Sequence, residues 1–136
     1  MFRQTRLLSL RTVGIHDGIG VSDGLLQLIS RLSHLTRLEC DLQGEPQLVS
    51  GYKLKPATNK GVRCLSSLQT LQDLTLTVHN FYTLVTGEAL SSIGSLHQLT
   101  HLSLRGWPIK DTDLSHLAHL QLHSLDLNNC MSLSSD

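Results

Sequence analysis

Eight histidines and three cysteines are the side chains of this chain best suited to chemistry, so their spacing decides which chemistry is open to it. His97 and His101 stand four residues apart, and His116, His119 and His123 cluster further along. Four-residue spacing brings two imidazoles together only on a helix. Here His97 precedes a strand-like segment and His101 begins it, while His116 and His119 are expected on a solvated helix. A zinc site needs three or four converging ligands, so neither a metal nor a cofactor is expected. Cys40, Cys64 and Cys130 are odd in number and lack CxxC spacing, which suggests neither a disulfide framework nor a zinc ribbon. Nucleophilic catalysis finds little support. Cys64 and His79 form a pair only on paper, with no third group to orient the base. No G-x-S-x-G or phosphate-binding loop occurs, and Gly18-Ile19-Gly20 lacks the third glycine of a dinucleotide site. The expectation is a protein that binds and is not an enzyme.

The elements that would position these residues are written in leucine. Leucine supplies 30 of 136 residues, against five isoleucines, six valines and five aromatics. Leu68-x-x-Leu71-x-x-Leu74-x-Leu76 aligns with Leu96-x-x-Leu99-x-x-Leu102-x-Leu104. Upstream, Leu32-x-x-Leu35-x-x-Leu38-x-Cys40 has the same form, and Leu122-x-x-Leu125-x-Leu127-x-x-Cys130 follows downstream. Leu8-x-Leu10-x-x-Val13 reads as a truncated first copy, which places the paired leucines from 8, 38, 74, 102 and 125. The L-x-L step has period two and turns both side chains to one face of a short strand. The preceding run has a period near three, which suits a helical or 3-10 segment with one apolar stripe. A unit of that size cannot bury its own leucines. Stacked units can, in one ladder behind a parallel sheet.

These segments resemble the leucine-rich repeat family, whose pattern is L-x-x-L-x-L-x-x-N/C. Val21-Ser22-Asp23-Gly24-Leu25 and Ile109-Lys110-Asp111-Thr112-Asp113-Leu114 resemble the I-T-D helix start of the cysteine-containing type found in F-box proteins. In each, an Asp near the start is expected to cap its helix. The resemblance implies an α/β solenoid of about five units, with a short parallel sheet on its concave side and helices or 3-10 turns on its convex side. The Asn/Cys slot departs from the pattern, holding Val13, Gln43, His79, Trp107 and Cys130. Irregular turns are therefore expected after the first and fourth strands, Trp107 being large for a stacked turn. Residues 43–61 and 79–92 read as insertion loops within a single domain spanning 1–136, and the domain reads as a segment of a longer array.

In this frame the outward strand positions form three rows. The first is Leu7, Arg37, Asp73, His101 and Ser124; the second is Ser9, Glu39, Thr75, Ser103 and Asp126; the third is Arg11, Asp41, Thr77, Arg105 and Asn128. Neighbouring strands lie about 4.8 Å apart, so Arg37 should face Asp73 and Arg11 should face Asp41. Two readings stand side by side: the charges satisfy one another, or they form a polar docking surface. Trp107, with Phe81 and Tyr82, either plugs gaps in the core or anchors a partner at the strand-end edge.

A scaffold that binds a partner protein, with Arg37, Glu39, Asp73, Thr75, His101, Ser103, Arg105, Trp107 and Asp126 as contact residues, is the leading expectation. The substrate arm of an F-box-type ubiquitin ligase and a structural spacer in a larger array are the alternatives. Eleven basic residues balance eleven acidic ones, which speaks against a nucleic-acid or anionic-membrane partner. Arg11 interrupts the first apolar stretch after four positions, too short for a signal peptide. A cytoplasmic or nuclear location is expected.

Overall fold

A computed structural model describes residues 10–15, 21–42, 48–49, 52–53, 56–78 and 84–133. Leu7, Leu8, Ser9, Gln43, His79, Phe81 and Tyr82, on which several expectations rested, lie outside the described residues. The chain is a mixed α/β structure. Strands β1 (Thr12–Ile15), β2 (Arg37–Leu42), β5 (Asp73–Val78), β6 (His101–Ser103) and β7 (Ser124–Asp126) form one open sheet in that order, every pairing parallel. Two short strands between β2 and β5, namely β3 (Leu48–Val49) and β4 (Tyr52–Lys53), pair antiparallel with each other. Parallel neighbours need a crossover, and each crossover carries a helical segment: α1 (Asp23–Ile29), α2 (Asn59–Cys64) with the 3-10 turn Leu65–Ser67, the 3-10 turn Gly87–Ala89 with α3 (Leu90–Ile93), and the 3-10 helix Asp111–Leu117. Among the described residues, no helix is long and apolar enough to cross a membrane.

The core runs between these helices and one face of the sheet. Val62, Leu65, Leu68, Leu71, Leu74 and Leu76 are buried in α2–β5, and Leu90, Ile93, Leu96, Leu99, Leu102 and Leu104 take the same spacings in α3–β6. In α1–β2 the series is Leu26, Ile29, Leu35, Leu38 and Cys40, with Leu32 half-buried. Each fully buried leucine is worth about 1.5–3 kcal/mol, so this ladder outweighs every polar contact on the surface. Its last rung is thinner: Leu120, Leu122 and Leu127 are only partly covered, and Leu125 is 44% exposed.

Three of the four crossovers begin their helical segment at a hydroxyl. The Ser22 Oγ accepts from Leu25 N at 3.3 Å, Thr58 Oγ1 from Lys60 N at 3.2 Å and Thr86 Oγ1 from Glu88 N at 3.4 Å. Asp23, expected to cap its own helix, instead reaches the next one. Its carboxylate accepts from Thr58 N at 2.7 Å, Thr58 Oγ1 at 2.6 Å and Gly61 N at 3.1 Å. Asn59 links α2 onward in the same way, with Nδ2 donating to Thr86 Oγ1 at 2.8 Å and Oδ1 accepting from Thr86 N at 2.9 Å. Ser22 is nearer its own orphan amides, which frees Asp23 to serve its neighbour's. Asp113 does follow the expectation, accepting from Lys110 N at 2.9 Å.

Two further expectations need correction. The first strand pairs five residues later than the Leu8/Leu10 frame predicts. Thr12 pairs with Arg37 and Val13 with Leu38, so Val13 and Ile15 take the inward positions. β-branched side chains at period two suit a half-buried strand, and they win the register from the leucines before them. The loops expected at 43–61 and 79–92 are also shorter than anticipated. Helix starts at Thr58 and Thr86 end them early, because each threonine caps the amides that follow.

Candidate functional site

The face of the sheet opposite the core carries the polar rows. Arg37 registers with Asp73 and Asp73 with His101; Glu39 registers with Thr75, Thr75 with Ser103 and Ser103 with Asp126. Arg37, His101, Arg105 and Ser124 are exposed, while Glu39, Asp41, Asp73, Thr75, Ser103 and Asp126 are half-buried along the sheet floor. Arg37 Nε lies 3.9 Å from Asp73 Oδ2, the pairing that the spacing implies. Arg105 Nε lies 3.6 Å from Asp126 Oδ2, an oxygen that also accepts from Ser103 Oγ at 3.4 Å. Exposed pairs of this kind contribute about 0–1 kcal/mol each. They leave the fold nearly indifferent to their replacement.

Arg11 does not face Asp41. With β1 starting at Thr12, Arg11 falls just before the strand, where its carbonyl accepts from Thr36 N at 2.8 Å and Arg37 N at 3.0 Å. Asp41 registers with Thr77. The Arg11 arrangement recurs across the sheet: the Thr36 carbonyl receives Gln72 N and Asp73 N, that of Gln72 receives Thr100 N and His101 N, and that of Thr100 receives His123 N and Ser124 N. These shared acceptors hold the strand starts level, and so keep the side-chain rows straight.

Trp107 leaves the list of surface contacts. It is 0% exposed, and its indole Nε1 donates to the Leu76 carbonyl at 2.7 Å. Cys130 acts alike one strand on, its thiol donating to the Leu104 carbonyl at 3.0 Å. Leu76 is the second inward leucine of β5, and Leu104 stands at the same spacing just after β6. Trp107 therefore makes the same kind of bond as Cys130, where the sequence led us to expect an ill-fitting side chain. Room for it comes from Gly106, whose φ of +79° only glycine adopts without strain, and whose missing Cβ would collide with the Val78 carbonyl.

The thiols are poor nucleophiles where they are buried. Burial, reinforced by Asp41 and Glu39, pushes the Cys40 thiol up to about 12. Burial raises Cys130 too, against the opposing backbone hydrogen bonds of Trp107 and Gly106. A thiolate is the reactive form, so both serve as small core side chains. Among the described residues, no three His, Cys, Asp or Glu side chains converge in a way that could hold a metal ion. The histidines nevertheless pair across strands. His97 and His119 have ring centres 5.7 Å apart, and His101 and His123 lie 6.1 Å apart. Sequence spacing missed these partners because they come from successive units of the fold that only packing brings side by side. The helix-start links were missed as well, although Ser22-Asp23 and Thr58-Asn59 repeat a hydroxyl followed by an acid or amide. No family model matches this chain, and no curated protein matches it.

Proposed function

We propose that the chain is a leucine-rich-repeat solenoid and that it acts as a protein–protein interaction scaffold, binding a partner protein through the polar face of its parallel sheet. The observation that carries this reading is the division of labour between the two faces of one sheet. The inward face is sealed by the leucine ladder, while the outward face sets Arg37, Asp73 and His101 in one row and Ser103 and Asp126 in the next, with Arg105 paired to Asp126. Stability resides in the first face, so the second can vary with little cost to the fold, which is the property a recognition surface needs. Recurring spacings in α1–β2, α2–β5 and α3–β6 support the repeat assignment, as do the matched carbonyl acceptors and the Trp107 and Cys130 bonds to successive strands. The work of such a surface is binding rather than catalysis.

Arg105→Glu tests it. This change replaces the Arg105–Asp126 ion pair with two like charges while leaving the core alone. On our reading, the variant melts with the wild type and loses the partners that the wild type captures reproducibly from its own cells. Equal capture by wild type, Arg105→Glu and Asp73→Lys would mean that the face is merely solvated and the chain a spacer.

A further inference from the structure

We infer that His97 and His119 form a two-imidazole site for a divalent late transition ion of the zinc and copper class. Both side chains are exposed, in the turns that lead from α3 into β6 and from the Asp111–Leu117 helix into β7. Their ring centres are 5.7 Å apart with planes inclined at 58°. An ion about 2.1 Å from one nitrogen of each ring separates two imidazole centres by about 5 to 6.5 Å, depending on the angle at the metal. The observed spacing falls inside that interval.

The hydrogen bond of His119 supplies the second argument. Its Nε2 lies 2.7 Å from the Gly94 carbonyl oxygen. A carbonyl can only accept, so Nε2 carries the proton and the neutral ring keeps its lone pair on Nδ1. A ligating histidine characteristically donates its other N–H to a backbone carbonyl or carboxylate, which fixes the tautomer and makes the free nitrogen a better donor. His119 is thus held in a ligand's tautomer by a neighbouring crossover, next to a second exposed imidazole. Gly94 lets its turn lie close to the Asp111–Leu117 helix, since a Cβ there would strike the His116 carbonyl. With two protein ligands, water completes the coordination. Imidazole suits zinc, copper and nickel, whereas magnesium and calcium prefer oxygen.

The test is a zinc chloride titration of the 136-residue chain, followed by the ring-proton NMR signals of its histidines. His97 and His119 should shift together along one saturable curve, with His34 as an internal reference. His97→Gln and His119→Gln should each weaken the response at the remaining ring at least about tenfold, as loss of a ligand exceeds the loss of an outer partner. The His97 variant disturbs no bond of the fold described above, so its result stands even where His119→Gln loosens the Gly94 turn. His123→Gln, in the other histidine pair, should leave the His97 and His119 response as it was. Ring signals of His97 and His119 that move no more than those of His34, or unchanged affinity in His97→Gln, would overturn the site.

Discussion

Trp107→Ala separates a core plug from a surface anchor, and the structure sets its size. The side chain is wholly buried in the leucine ladder, and its N–H satisfies the Leu76 carbonyl. Truncating a buried aromatic costs about 3–5 kcal/mol through lost transfer energy and the cavity left behind. The orphaned carbonyl is one part of that loss. Trp107→Phe isolates it, keeping most of the ring while withdrawing the donor, and should cost about 1–3 kcal/mol. A chain of this length has a total stability of about 5–15 kcal/mol, so the alanine variant should melt at least about 10 °C below the wild type. Urea unfolding followed by far-UV circular dichroism gives both free energies, and partner capture at a temperature where all three proteins are folded gives the other axis. An alanine variant within about 1 kcal/mol of the wild type would refute the packing argument. So would a phenylalanine variant as damaged as the alanine one, because the hydrogen bond and the cavity could then not be told apart as described.

Other perturbations follow from the same contacts. Asp23→Ala removes three bonds to the start of α2 and should lower the unfolding free energy by about 2 kcal/mol; hydrogen exchange at Gly61 should speed up more than exchange in β6. Gly106→Ala places a Cβ against the Val78 carbonyl at a φ of +79°, so it should destabilise by more than about 1 kcal/mol, in contrast to Gly24→Ala, where a Cβ meets only an ordinary contact. Cys40 titrates near 12 in the folded chain and near 9.0 ordinarily, so between those values the folded state holds a proton that the unfolded state has released. Its stabilising share is complete below about pH 9 and is lost as pH rises through 12; Cys40→Val should flatten that alkaline decline in urea titrations. Cys64, half-exposed, should react with a thiol reagent in the native protein well before Cys40 and Cys130.

The leucine frame from Leu32 to Leu127 is legible in the chain alone, and with it four of the five strands in the parallel sheet. An L-x-L pair has only one way to put both side chains inside, and the run before it only one apolar stripe. It also determined that Arg37 would meet Asp73, because two strands in fixed register leave no freedom to opposite positions. Whatever depends on a neighbour was set by packing. At β1, packing against β2 chose Val13 and Ile15 over the earlier leucines. At the helix starts, Asp23 and Asn59 turned to the next crossover, a choice no local pattern encodes. Trp107 looked too large for its turn because the space that receives it is bounded by Val78, Leu76 and the glycine at 106, and that space exists only once two strands lie side by side. Spacing along the chain fixes which face a side chain takes. Which partner meets it across a gap is settled by the distance between elements, and that distance is a property of the packed fold.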